Sequence, residues 1–137
     1  MTVTAPVDRP IQDRLAPIIV WSAIAISVVH YTDNTLRFDD YPPGDDGWLN
    51  PPLVVFFWAL FTAAGLFGLA LYRRRQYLSA AALFVFCSVG GLISPLHYTE
   101  GQLHDFDAFQ HVNITLDFIA GLALFSFAVW IALKPPS

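Results

Sequence analysis

Four apolar runs divide this chain, at about residues 15–32, 53–72, 77–96 and 112–133, with short polar segments between them. A bilayer core of about 30 Å is crossed by roughly 20 apolar residues in a helix, and each run is close to that length. The runs are continuous and do not alternate in-and-out. Strands of a membrane barrel alternate and are about half as long. The pattern therefore predicts an all-α fold: an integral membrane four-helix bundle. The first run is the shortest. Its clean apolar part ends at Val29, so the helix is expected to run on past His30 or to lie tilted.

Composition agrees with the periodicity. The chain is 137 residues long, which suits a single four-span domain, residues 1–137. It is 55% hydrophobic and 13% charged, with a mean hydropathy of +0.52. A soluble domain carries about 25% charged residues, so this chain cannot cover itself in water. The lone Cys87 lies inside an apolar run and cannot form an internal disulfide. The polar start, residues 1–14, holds no cluster of positive charge of the kind that opens a secretory signal, so the first span is expected to be retained. That start reads as a tail, and the residues after Leu133 as a stub.

Charge sets an expected orientation. Arg9, Arg14, Arg73, Arg74, Arg75 and Lys134 all fall on one side if the spans alternate, and the other side holds only Arg37. The positive-inside rule then places both termini in the cytoplasm of a plasma membrane, with the acidic loops outward. The outer loops carry Asp33, Asp39, Asp40, Asp45, Asp46, Glu100, Asp105 and Asp107, and all four histidines. Residues 41–48 of the first outer loop read as turns, with Tyr41 and Trp48 as interfacial anchors, and Pro51 and Pro52 suit the first turn of span two. Small residues such as Gly65, Gly68, Gly90, Gly91 and Gly121 are expected to bring helix backbones together.

An internal echo singles out the outer side. His30-Tyr31-Thr32-Asp33 returns 67 residues later as His97-Tyr98-Thr99-Glu100, with Leu36 answered by Leu103 and Asp40 by Asp107. Two tandem helical hairpins related by a pseudo-twofold axis along the membrane normal would produce it. Positions i, i+3 and i+4 share a helix face, so His30 lines up with Asp33 and Asn34, and His97 with Glu100. Pro95 is positioned to kink span three and swing His97 toward the bundle. His104 and His111 lie close enough in sequence to join them.

Imidazole nitrogen and carboxylate oxygen are donors for zinc, iron and copper. The first expectation is thus a metal-binding membrane protein with His30, His97, His104, His111, Asp33 and Glu100 as ligands, working in redox chemistry or metal handling. Haem between His30 and His97 is a weaker fit, because both lie at the membrane edge, away from the apolar walls a haem ring needs.

Asp117 is the candidate catalytic residue. It sits six positions past His111 inside the fourth span, and a carboxylate there faces the bundle interior with a partner. Asn113, or a tyrosine or serine on a neighbouring span, is the expected partner. Arg37 is expected to pair with Asp39, Asp40 or another loop carboxylate.

Two further readings stay open: an accessory subunit of a larger membrane complex or a homo-oligomer, and a metal-free enzyme using histidine and Asp117 on a lipid-like substrate. No P-loop, dinucleotide fingerprint, nucleophile elbow or Cys-x-x-Cys is present. The net charge of −4 gives no footprint for nucleic acid.

Overall fold

The first membrane helix, α1, spans Ile11–Leu36, longer at both ends than its apolar pattern. The structure, a computed structural model, describes residues 10–41, 49–100 and 103–136. Residues 11–14, read from the sequence as part of a polar tail, are helical. Asp13 accepts a hydrogen bond from the Tyr72 hydroxyl at 2.9 Å, and the Gln12 amide reaches the Lys134 carbonyl at 3.4 Å, so tertiary contacts hold this first turn. At the other end the helix carries His30, Asp33 and Asn34 on one continuous turn before a 3₁₀ turn at Phe38–Asp40. The loop reading for residues 42–48, with Trp48 as an anchor, lies outside the described residues.

Helix α2 spans Pro51–Arg73. Both prolines stand in its first turn, where a missing amide hydrogen leaves no bond unmade, and the Asn50 side chain caps the Leu53 amide at 3.0 Å. Its end is set by a backbone motif. Gln76 N–H returns to the Leu71 carbonyl and Arg75 N–H to that of Tyr72, with Arg75 in the left-handed region at φ 62°. This tight turn feeds α3, Tyr77–Leu92. A 3₁₀ turn at Ser94–Leu96, with Pro95 inside it, then leads into a four-residue helix, α4, His97–Glu100. The last helix, α5, spans Ala108–Leu133 and opens on a capping box in which Asp107 accepts from the Gln110 amide and Gln110 returns to the Asp107 amide.

Four segments are long and apolar enough to cross a membrane: Ile11–Leu36, Pro51–Arg73, Tyr77–Thr99 and Ala108–Leu133. They form a four-helix bundle in which α1 and α3 each pack against both α2 and α5. The tightest seam is between α3 and α5. A Cβ on Gly121 would lie 2.8 Å from the Leu92 nitrogen and 3.0 Å from the Gly91 Cα, and one on Gly91 would strike the Asp117 carbonyl oxygen. The two backbones touch there, and only glycine at both positions permits it.

The interior has two halves of opposite character. At the end carrying Arg73–Arg75 the helices bury an apolar cluster that includes Val20, Leu69, Phe84, Leu124, Phe127 and Ile131. Toward the histidine end the buried residues include His30, Asn34, Ser88, Ser94, Gln110, Asn113 and Asp117. Meanwhile Ile18, Trp21, Phe56, Phe67, Leu78 and Ile119 are exposed on the outside. Apolar surface outward and polar groups inward is the arrangement a bilayer selects, since water is not there to solvate the polar groups.

Candidate functional site

Three helices build the polar centre. From α1 come His30, 2% exposed, and Asn34, 7% exposed, one turn apart. From α5 comes Asp117, 2% exposed. From the break after α3 come Ser94 and His97. Pro95 has no amide hydrogen and stands at a helix end, where the chain leaves the regular α-ladder. The turn it occupies is 3₁₀, and this brings Ser94 to Asp117 and His97 to Asn34.

The hydrogen bonds form a connected chain. The Ser94 hydroxyl donates to Asp117 Oδ2 at 2.6 Å. His30 Nε2 lies 3.5 Å from the Ser94 Oγ and 3.8 Å from Asp117 Oδ2. Asn34 Nδ2 is 3.0 Å from His30 Nε2 and 3.4 Å from His97 Nε2. The two imidazoles stand 5.7 Å apart by ring centroid, with the Asn34 amide between them. Asp117 thus finds its partner in a serine of a neighbouring helix. Asn113 is buried on the same helix, but its Nδ2 has no partner among the described residues.

This arrangement is not a hydrolase triad. In such a triad the serine gives its proton to the imidazole, whose other nitrogen donates to the carboxylate. Here Ser94 donates to the carboxylate, and serine and aspartate both face the same imidazole nitrogen. What the chain of contacts offers is a buried imidazole in reach of a carboxylate.

Of the six donors expected to share one metal, the five whose side chains are described do not come together as one group. His30 and His97 meet, but His111 belongs to a separate aromatic cluster: its Nδ1 lies 3.0 Å from the Tyr98 hydroxyl and its ring packs with Tyr98 and Phe106. His104 sits in the 3₁₀ turn Leu103–Asp105 with its side chain 76% exposed, 3.4 Å from Asp105. Asp33 accepts the Tyr41 hydroxyl at 2.6 Å and faces Arg37 at 3.7 Å. The Glu100 side chain lies outside the described residues. Among the described residues no group of three or more His, Cys, Asp or Glu side chains is placed to hold a metal ion. The matched histidines His30 and His97 do meet, one on the continuous helix α1 and the other beyond the break after α3, while His104 and His111 are engaged elsewhere.

Above the polar centre lies a charged clasp. Arg37 reaches Asp40 at 2.9 Å through Nε and Asp107 at 2.9 Å through Nη2. It thereby ties the end of α1 to the N-cap of α5, using both of the aspartates that the sequence echo pairs. Hydrogen bonds to Asp40 and Asp107 raise the guanidinium pKa further above its ordinary value. The backbone amide of Gln110, and then Arg37, hold the Asp107 carboxyl below its ordinary value. Tyr41 lies under this clasp, its ring 4.8 Å from that of His97. Burial, reinforced by the bond to Asp33, pushes its phenol well above the usual tyrosine range, so it stays a donor.

A cavity of about 270 Å³ opens beside the polar centre, between α1, α2 and the α3 break. His30, Asn34, Ser94 and His97 line one side, and Val54, Phe57 and Phe61 of α2 line the other. Leu49, Ile93 and Leu96 also line it and are themselves exposed at the bundle surface, so the cavity lies against the lipid-facing exterior. Spacing aligned Asn34 with His30, whereas Ser94 is a site residue that spacing does not reveal, since serine is ordinary in membrane helices. The signal for Ser94 was the need of Asp117 for a buried partner, which the sequence left open among Asn113, a tyrosine and a serine. The chain matches no protein-family model, no curated protein and no solved structure.

Proposed function

We propose that this multi-pass membrane protein binds an amphipathic, lipid-like molecule in the crevice beside His30, with the polar head on the His30–Asn34–His97 group and the apolar body against α2. The observation that carries this is the cavity of about 270 Å³ whose walls join buried polar side chains to lipid-facing apolar ones. Pockets that take small molecules have this make-up: mostly apolar lining with a few convergent polar groups. His30, which lines the crevice, lies 3.8 Å from Asp117, which does not, and this supports acid–base chemistry at the bound head through His30, with Asp117 behind it and Ser94 positioning the carboxyl. In this reading the histidine end faces outward and the ligand enters from the outer leaflet, following the distribution of arginines.

The test is lipid extraction from protein purified in mild detergent, followed by mass spectrometry. The native chain is expected to carry a lipid-like species in near-stoichiometric amount, and Val54→Trp, which fills the crevice from the α2 side, is expected to lose it. Equal lipid profiles for the two would sink the proposal. Metal binding by the same residues is supported only by the His30–His97 pair, which falls short of the three protein ligands that even an open zinc site uses. Metal analysis of the same preparation separates the readings: a stoichiometric metal lost in His97→Ala favours the metal.

A further inference from the structure

The charges of this chain are separated along its long axis. Every basic residue except Arg37 belongs to the end where α1 begins, α2 meets α3 and α5 stops: Arg9, Arg14, Arg73, Arg74, Arg75 and Lys134, against the acids Asp8 and Asp13. Contacts join the helix ends there into one surface. The Tyr72 hydroxyl donates to Asp13, the Gln12 amide reaches the Lys134 carbonyl, and the Tyr72 and Tyr77 rings meet edge to face at 5.2 Å. Arg73, Arg74 and Arg75 lie on this surface, all exposed, and among the described residues no carboxylate pairs with them.

Two ordinary uses account for such arginines, and Arg75 fits neither. Positive charge beside a span orients it in the membrane, but that effect counts charges anywhere within about 15–20 residues of the span end. Positive charge at a helix C-terminus complements the helix dipole, and Arg73 in the last turn of α2 already supplies it. Arg75 stands instead where the backbone has φ 62°, a conformation that strains a side chain and not a glycine. The same charge one residue on, at Gln76, would stay beside the span and leave the turn unstrained. Its guanidinium is also set in direction. Nη1 donates to the Tyr77 hydroxyl at 2.9 Å, which leaves the rest of the planar fork for another acceptor. That fork matches the oxygens of a phosphate in a two-pronged hydrogen bond, and a basic cluster at the end of a span attracts anionic lipid. We propose that the arginine turn binds the phosphodiester head of an anionic phospholipid, with Arg75 as the positioned donor and Arg73 and Arg74 as added charge beside it. The lipid belongs to the leaflet at this end, since a tight turn joining two spans lies at headgroup level.

The experiment titrates the full chain, in neutral detergent micelles, with phosphatidylglycerol or phosphatidylcholine and counts the retained lipid by native mass spectrometry. The native chain is expected to retain phosphatidylglycerol at least about tenfold more strongly. In Arg75→Gly that preference is expected to fall by about fivefold, the share of one arginine at a charged membrane surface. Its unfolding midpoint without added lipid is expected to hold or rise, because the turn loses its strain. Binding that fails while the fold improves separates a role in binding from a role in structure. Arg37→Gln, at the opposite end, is expected to keep the full preference. Equal retention of the two lipids by the native chain would overturn the proposal, and that comparison needs no variant. An undiminished preference in Arg75→Gly would overturn it too, leaving orientation as the use of the arginines. A preference lost in Arg37→Gln instead would put the lipid at the histidine end. Displacement of phosphatidylglycerol by inorganic phosphate would show that the surface takes the free ion and not a lipid.

Discussion

At the scale of single residues, the site is governed by which polar groups are satisfied and which are not. Asp117 keeps its place because Ser94 donates to it at 2.6 Å. Ser94→Ala removes that donor from a buried carboxyl and is expected to cost about 1–3 kcal/mol, read as a fall in the midpoint of thermal unfolding in detergent. Asp117→Asn keeps an acceptor oxygen for Ser94 and is expected to cost far less. If Ser94→Ala and Asp117→Asn destabilise equally, the bond is not what positions the aspartate. Asp117 was legible in the sequence because a lone acid in an apolar span must have a buried partner. Its partner was legible only as alternatives, Asn113 on the same helix or a serine or tyrosine of a neighbouring span, and the serine is the one that bonds it. Which serine it is depends on the 3₁₀ turn at Pro95 and on the Gly91–Gly121 contact, both properties of packing. The four-histidine grouping was read from the same residues and does not form, because spacing along a chain says nothing about rotation after a helix break.

Elements show the same division between what pattern determines and what contact determines. The four spans follow from apolar length, and the opening of α2 follows from Pro51 and Pro52 behind an Asn50 cap. The extension of α1 back to Ile11 does not, since it depends on Tyr72 and Lys134 from distant parts of the chain. The α3–α5 seam is a firm constraint: Gly121→Val would press branched carbons into the Gly91–Leu92 backbone and is expected to destabilise by about 1–3 kcal/mol and to loosen Asp117 from Ser94. Differential thermal unfolding of the variant checks it, and an unchanged midpoint would mean the helices separate at no cost.

The α2–α3 turn carries the opposite signature. Arg75 sits in a left-handed conformation that glycine adopts without strain. Arg75→Gly is expected to raise stability by up to about 1 kcal/mol, even though it removes one of the three clustered positive charges. The chain thus keeps a charge where an unstrained cap was available.

The Arg37 clasp between α1 and α5 makes a pH prediction. Because the folded Asp107 carboxyl titrates below its ordinary value, its stabilising contribution is complete above the ordinary carboxylate pKa and is lost only as pH falls through the depressed folded value. The gap in unfolding midpoint between the native chain and Arg37→Gln should therefore stay constant from neutral pH to about pH 5 and close only below about pH 4. A gap that closes already at pH 6 would assign it to some other group.

For the molecule as a whole, what matters is that its polarity is reversed relative to a soluble bundle and unequal between its two ends. The arginine end has an apolar core and the histidine end a polar one, so among the described residues the buried polar groups that could meet a polar ligand lie toward the histidine end. Which membrane face that end occupies decides whether the crevice samples the outer or the inner leaflet. Three arginines in the α2–α3 turn against a single Arg37 at the other end favour the proposed orientation, with the histidine end outward. Substituted-cysteine labelling in a Cys87→Ser background tests this directly, since His104 and Arg74 are both exposed and stand at opposite ends. His104→Cys is expected to react with a membrane-impermeant maleimide in intact cells, and Arg74→Cys only after permeabilisation. The reverse pattern would turn the crevice to the inner leaflet. Its lining would be unchanged, so the lipid-like ligand argued from that lining would stand while its source would change. Labelling of both positions in intact cells would mean a mixed topology, and the arginine cluster would then not orient the chain.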